Sequence, residues 1–300
     1  MRLAFITLHY KNLDDTLGLL ASLSHCQIPK GTEVSIYIVD NEGSEDLVAE
    51  IKKFKNAIPL VPGKNLGFAA GNNLGLKKAM ADGNEILIAI NNDTLAPKDL
   101  VKQIIASPIN EASVGAVGGL IYFAPGYEFK EDYKNKDKGK VVWFAGGSFD
   151  WDNILGPNAH VDEVDRGQFK NIEDTDFITG ATLITRADVL KKVGFFDENY
   201  FMYLEDVDLC HRMRLAGYRL VFDPKIKLSH KVARSSGIGS PLNDYFITRN
   251  RLYFGLKYAR LRTKFALVRE ALRFLVSGRP TQKAAVIDFF TLKLGRGTYL

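Results

Sequence analysis

Short apolar runs alternate with segments of helical spacing through the first hundred residues. Residues 4–8 are hydrophobic, and after a polar turn Leu17, Leu20 and Leu23 recur on one face of a helix predicted over 14–23. Residues 34–39 are rich in β-branched side chains and stop at DNEGSED. There Ser44 is placed to cap the next helix, with Glu45 and Asp46 in its first turn, where the helix dipole favours acids. A strand at 58–61, a Gly- and Asn-rich turn, a helix over about 68–81 and a strand at 86–90 continue the series. This alternation predicts an α/β fold with a mostly parallel central sheet flanked by helices on both faces. In such sheets ligands gather beyond the carboxyl ends of the strands, where the polar loops at Asp40, Asn65 and Asn92 fall.

After Leu100 the rhythm changes. A helix to about residue 106 precedes the strand-like GAVGGLIYF, and residues 124–140 are dense with Lys, Glu, Asp and Gly, which predicts a long exposed excursion or local disorder. Residues 141–152, VVWFAGGSFDWD, are expected to form a hairpin or two short strands around Gly146 and Gly147. Thr185 and Asp188 have the spacing of a capping box opening a short helix. In the helix predicted over 205–216, Leu209, Met213 and Ala216 share a face and Gly217 offers the C-terminal cap. RLVF returns to strand, and IKLSH is a strand that ends on His230. Beyond Pro241 the chain is mostly helical, with a second helix at about 265–275.

Composition changes this picture little. The 300 residues are 46% hydrophobic and 25% charged, enough apolar material for one large core. The formal charge is +5, and the chain from Lys225 onward carries many basic residues and few acids. That asymmetry fits an anionic partner or an ordinary basic surface. Cys26 and Cys210 lie in helical-looking runs without paired-motif spacing and fit a reducing compartment. MRLAFITLHY is expected to be a first strand rather than a signal peptide, and no apolar run approaches the roughly 18–20 residues needed to span a bilayer.

Candidate chemistry lies in three places. No GxGxxG follows the first strand and no GxxxxGK[ST] occurs, so KNLGFAAGNN at 64–73 is either a structural turn or a close approach to a ligand. Asn91, Asn92 and Asp93 follow a strand immediately, as a turn or as ligands of a hard cation such as Mg²⁺ or Mn²⁺. His230, at a strand end, is a hydrogen-bonding residue or a further ligand. Glu205, Asp206 and Asp208 open a helix behind the aromatic run FFDENYFMYL, as solvated capping acids or as a set containing a desolvated proton acceptor.

Taken in order, LHYKN, VDNEGSED, KNLGFAAGNN, INNDT, WFAGG, DFITGATLITR, VGFFDENYFMYLEDVDLCHRMRLAGYRL and KLSHKVARSSG resemble the family 2 glycosyltransferases of the GT-A fold, in particular the rhamnosyltransferase and galactofuranosyltransferase branch. The resemblance runs from residue 2 to 239. It implies a catalytic domain over 1–239, with a nucleotide-binding half at 1–100 and an acceptor half at 101–239 whose segment 124–168 is a flexible flap, followed by a basic helical extension at 240–300. It implies a Rossmann-like GT-A sheet and an inverting, metal-dependent transfer from a nucleoside-diphosphate sugar, dTDP-rhamnose or a UDP-sugar, to a glycan or polyprenyl-linked acceptor in polysaccharide or cell-wall synthesis. By that resemblance Leu8, Tyr10, Asp40, Asn65, Gly67, Asn72 and Asn92 bind the donor. Asp93 and His230, with Asn91, hold Mg²⁺ or Mn²⁺, and Asp206 is the base. Glu205, Asp208, Trp143, Gly146, Gly147, Gly180 and Ala181 lie on the acceptor side.

A glycoside hydrolase with facing carboxylates, and a domain that binds a nucleotide-sugar or glycan without turnover, are the alternatives. A cytoplasmic protein is expected, free or peripherally attached to the inner face of the membrane. Residues 240–300 would meet an anionic membrane surface, a second copy or the catalytic domain itself, and no nucleic-acid partner is expected.

Overall fold

The computed structural model describes residues 1–130, 132–232 and 239–299, so the ARSSG end of the KLSHKVARSSG motif, at 233–237, lies outside the described residues. The chain opens with β1 (Arg2–His9), α1 (Leu13–Ser24), β2 (Glu33–Asp40), α2 (Glu45–Ile51), β3 (Ala57–Leu60), α3 (Gly67–Ala81) and β4 (Ile86–Ile90). This is the predicted alternation, and Ser44 does cap α2, its hydroxyl accepting from the Leu47 amide at 3.2 Å. β5 (Thr94–Leu95), α4 (Leu100–Ala106), β6 (Val114–Phe123), β7 (Val142–Phe144), β8 (Glu173–Asp174) and β9 (Thr182–Arg186) follow. Then come α5 (Ala187–Val193), α6 (Glu205–Leu215), β10 (Arg219–His230), α7 (Pro241–Tyr258), α8 (Leu261–Ser277) and α9 (Pro280–Phe290).

The strands form one sheet in the order β3-β2-β1-β4-β9-β6-β10-β5, with β7 beside β6 and β8 beside β10. β1, β2, β3 and β4 are mutually parallel, as are β6 and β10. β9 runs antiparallel between β4 and β6 and joins the two parallel groups. Every residue of β4 and of β6 is buried, as a sheet covered on both faces requires. The expected mostly parallel α/β sheet with a C-terminal helical extension is therefore the architecture of the protein.

Several local expectations are corrected. Thr185 does not cap α5; its hydroxyl donates to the Gly115 carbonyl at 2.7 Å, and the N-cap position is held by Arg186. The 141–152 segment contains a single three-residue strand, and its reversal is closed by the Asp150↔Leu155 bridge rather than at the Gly pair. RLVF and IKLSH are one continuous twelve-residue strand. Cys26 lies just past α1, its thiol buried against the Pro97 carbonyl at 3.4 Å.

The excursion after β6 has little regular structure, yet it is tied to itself and to the sheet. Arg166 forks onto the buried Asp137 at 2.8 and 3.1 Å and Tyr133 donates to the Asp162 carbonyl at 3.1 Å, while Tyr122 of β6 donates to the Asp165 carboxylate and Lys227 of β10 stands 3.6 Å from it.

The extension has a third helix, α9, that the sequence reading did not separate. Its helices pack on one another and grip the domain through α7. Asn250 Nδ2 donates to the carbonyls of Tyr200, Met202 and Tyr203, and Arg249 to those of Asn199 and Tyr200.

Candidate active site

The carboxyl ends of β1, β2 and β4, the start of α3, the loop before α6 and the end of β10 meet around one cleft of about 390 Å³. Its lining includes Leu8, Tyr10, Asn65, Gly67, Asn91, Asn92 and Asp93 from the first hundred residues and Trp143, Gly180, Ala181, Glu205, Asp206 and His230 from further along the chain.

Three connections assemble this cleft. The Asn91 amide donates to the Ala181 carbonyl at 3.1 Å, continuing the antiparallel β4–β9 ladder past its end. One residue earlier, the Gly180 amide donates to Asp206 Oδ2 at 2.8 Å. His230 pairs in register with Thr94 at the β10–β5 corner, and the Lys231 amide donates to the Asp93 carbonyl at 2.9 Å. Residues nearly 140 apart in sequence thus share one edge.

Asp93 Oδ1 and His230 Nε2 are 2.9 Å apart, and the Asn91 amide lies 3.4 Å from the same ring nitrogen. Both side chains are buried; the His230 contact is the one partner of Asp93 Oδ1 among the described residues, and His230 Nδ1 has no hydrogen bond. The 2.9 Å separation is that of a His–Asp ion pair, and with the ring proton on Nδ1 it is equally the spacing of adjacent ligands of an octahedral cation, which at about 2.1 Å per bond stand about 3 Å apart. Among the described residues no group of three or more His, Cys, Asp and Glu side chains gathers in one place, so this pair supplies at most part of a ligand set. The Trp143 ring meets the His230 ring edge-on with centroids 4.5 Å apart and fixes its tilt.

The acids at the start of α6 differ in their surroundings. Asp206 keeps part of its surface open to the cleft, and its oxygens accept from the amides of Gly180 and Val207, each at 2.8 Å. Burial raises its pKa above the ordinary aspartate value, and those amides oppose the rise. Glu205 is only 5% exposed and its Oε2 has no partner. Burial, and next the Asp206 charge, push its carboxyl well above the ordinary glutamate range. The loop entering α6 is strained, with positive φ at Phe201, Tyr203 and Leu204. Phe201 also receives the amides of Phe68 and Ala69 on its carbonyl, and a Cβ on Gly67, whose φ is +74°, would stand 2.5 Å from the Phe201 ring.

Five expected site residues are placed elsewhere. Asp40 is buried, and its oxygens accept from the amides of Glu42, Gly43 and Ser44, so it shapes the loop while its neighbour Asn41 lines the cleft. Asn72 is buried in α3 and donates to the Phe68 carbonyl at 3.0 Å. Asp208 points away from the cleft: it is fully buried and binds Arg212 at 2.6 Å, Tyr258 at 2.9 Å and Lys257 at 3.2 Å, anchoring α7 to α6. Gly146 takes a φ of +84°, and Gly147 serves packing, since a Cβ there would fall 2.2 Å from the Phe177 ring.

The sequence reading missed Asn41, Phe68, the Phe201–Tyr203 stretch, Leu242 and Asn243, all of which line the cleft. Asn41 and the FMY run carried a signal, being inside motifs already singled out. Leu242 and Asn243 carried none, because only the fold of the extension brings the first turn of α7 there.

Known proteins share the fold and the family of this chain. The N-acetylglucosaminyl-diphospho-decaprenol L-rhamnosyltransferase of Mycobacterium tuberculosis is 28% identical over 234 residues, 73% of this chain and 72% of that one. Rhamnosyltransferase WbbL of Escherichia coli is 42% identical over a shorter stretch of 55 residues, 18% of this chain and 21% of the relative. GalNAc-T7, solved with UDP, GalNAc and Mn²⁺, superposes with a TM-score of 0.67 at 16% identity, covering 94% of this chain and 52% of that one. That likeness establishes the fold, and this chain spans about half the length of GalNAc-T7. Residues 6–193 match the family described as Glycosyl transferase family 2, which sets aside the hydrolase and binding-only alternatives. A glycosyltransferase cleft on a GT-A-like sheet is what the geometry and this match together describe, and the chain belongs to glycosyl transferase family 2.

Proposed function

We propose that the protein transfers a sugar, with inversion, from a nucleoside-diphosphate sugar to a hydroxyl of a glycan or lipid-linked acceptor. The observation that carries this reading is that Asp206, raised in pKa and open to the cleft, borders the same space as the Asp93–His230 pair. Asn41, Asn65, Asn92 and Tyr10 line the side given to the donor nucleotide. Asn92 is held in place by donating to Thr16, whose hydroxyl also meets His9 Nδ1 at 2.8 Å.

In the reaction the acceptor oxygen forms a bond to the anomeric carbon as the bond from that carbon to the diphosphate oxygen breaks, the electron pair leaving with the diphosphate. Asp206 takes the acceptor proton. The raised pKa makes it a stronger base than an ordinary aspartate once it is ionised, and the Gly180 and Val207 amides hold its carboxylate in one orientation. Asp93 and His230, with Asn91 alongside, would hold Mg²⁺ or Mn²⁺, which when bound supplies Lewis-acid stabilisation of the departing diphosphate. The buried Glu205, whose carboxyl burial pushes well above the ordinary glutamate range, lines the cleft where it could hydrogen-bond a sugar hydroxyl.

The names of the rhamnosyltransferase relatives favour an L-rhamnosyl donor, dTDP-rhamnose, with UDP-sugars next, and a polyprenyl-diphosphate-linked acceptor in polysaccharide or cell-wall synthesis. The test is release of nucleoside diphosphate from a panel of dTDP-, UDP- and GDP-sugars with Mn²⁺ or Mg²⁺, with and without a polyprenyl-diphosphate-sugar acceptor. Acceptor-dependent release from one donor class supports the reading. Release that ignores acceptor, or none from any donor, overturns it.

A further inference from the structure

The C-terminal extension carries an apolar stripe that the described residues leave uncovered. α8 has two hydrophobic faces. Thr263, Leu267 and Ala271 are buried against the rest of the molecule, as its contacts with α7 and α9 require. On the opposite face Leu261, Phe265, Leu272 and Val276 are 73%, 75%, 56% and 81% exposed. Their spacings of four, seven and four residues put all four within one narrow sector at 100° per residue. Isolated exposed apolar residues are ordinary, but a continuous row on one helix face is not.

Charge selects the occupant. Arg262, Arg269 and Arg273 project along one flank of this row, and all three are exposed. The only acid of α8, Glu270, is turned toward α7 and pairs with Arg251 at 3.3 Å. Residues 241–300 hold twelve of the forty basic side chains and three of the thirty-five acids, so the positive excess of the chain resides entirely here. A second copy laid across the same stripe would bring two arginine rows together with no acid between them, which disfavours a symmetric dimer. No helix among the described residues is long and apolar enough to cross a membrane.

We propose that the exposed face of α8 docks in the interface of an anionic lipid bilayer, Phe265, Leu272 and Val276 entering the acyl boundary while the arginines meet lipid phosphates. This deepens the reading of a lipid-linked acceptor. α8 follows α7 after a two-residue turn, and Arg279, just beyond α8, pairs with Asp244 in the first turn of α7. α8 therefore runs back along α7, and its Val276 end lies toward the end of α7 that contributes Leu242 and Asn243 to the cleft. Docking through α8 would hold the first turn of α7, which borders the cleft, close to the surface that carries the acceptor.

The experiment is co-sedimentation of the full chain with vesicles of phosphatidylcholine alone or with roughly one-third phosphatidylglycerol, at low and high salt. The chain is expected to pellet with the anionic vesicles and to be released by salt. At about 1 kcal/mol per arginine, Arg262→Gln/Arg269→Gln/Arg273→Gln should weaken binding roughly a hundredfold. Phe265→Ser/Leu272→Ser/Val276→Ser should weaken it at least about tenfold while leaving melting temperature and transfer to a water-soluble acceptor unchanged. Wild-type protein that stays in the supernatant, a serine variant that binds like wild type, or a stripe shown to be covered in a stable dimer each overturn the proposal. Sedimentation requires no donor, so its outcome is separable from that of the transferase assay.

Discussion

Asn250 Nδ2 lies 2.7 Å from the carbonyl oxygen of Met202, so a residue of the C-terminal extension holds the loop that leads into α6. The same nitrogen also reaches the carbonyls of Tyr200 and Tyr203, and this loop contains three non-glycine residues at positive φ. Such backbone costs about 1–3 kcal/mol per residue and persists only where its surroundings hold it. The extension is therefore part of the apparatus that places Asp206, beyond any role in docking.

Asn250→Ala removes that grip. Buried carbonyls lose their donor, at about 1–3 kcal/mol of stability. Asp206 then loses its fixed aim, and kcat should fall by about tenfold or more, because small displacements of a reacting group are costly. If Asn41, Asn65, Asn92 and Tyr10 bind the donor as proposed, donor affinity should stay within about twofold of wild type, since Asn250 touches none of them. A variant that turns over normally despite the lost stability would show that α7 only packs against the loop.

Asp206→Asn keeps the size of the side chain and an oxygen for the Gly180 amide but cannot take a proton. Transfer should drop by about 10²–10⁴ while calorimetric donor binding is unchanged. In the wild type, burial raises the pKa of Asp206, so the acid limb of kcat/KM should have its midpoint above the 3.8 of an ordinary aspartate. A limb at or below that value, or residual transfer near wild type in the variant, removes Asp206 as the base.

Much of this was legible because its causes are local. Ser44 caps α2 through its own hydroxyl, Gly217 takes the positive φ that ends α6, and the strand and helix periods follow from burial on one or both faces. Asp208 shows where legibility stops. Two residues from Asp206 and on the same first turn, it looked like part of one acidic set, yet Tyr258, fifty residues on, captures it in the interior. The reach of Leu242 and Asn243 into the cleft and the antiparallel insertion of β9 likewise depend on long-range packing that no local pattern encodes. Asp40 misled for the opposite reason: its own loop satisfies its oxygens, as short Asx side chains commonly do in turns.

Asp93→Ala tests the cation reading apart from turnover. Binding of a nucleoside diphosphate, titrated with and without Mn²⁺, should be strengthened by the metal in wild type and lose most of that enhancement in the variant, about tenfold or more. His230→Ala should behave alike, since its Nε2 faces the same carboxylate oxygen at 2.9 Å. Identical titrations with and without metal in the wild type would leave the 2.9 Å contact as a structural one.

Glu205 makes a prediction about stability. Its folded pKa is raised well above 4.5 by burial, so the folded chain retains a proton that the unfolded chain gives up. Below about pH 4.5 both states are protonated and the group is neutral to folding. Above that, until the raised folded pKa is passed, stability falls by about 1.4 kcal/mol per pH unit on its account. Glu205→Gln cannot titrate and lacks this slope, while the similar contribution of Asp206 remains in both proteins. The melting temperature of the variant should therefore gain on wild type by roughly 2 °C per pH unit as pH rises above about 4.5, until the raised folded pKa of Glu205 is passed. Melting curves that run parallel across that range would mean that Glu205 ionises in the folded protein near its ordinary value, and the carboxyl would then meet a sugar hydroxyl as an acceptor rather than as a donor.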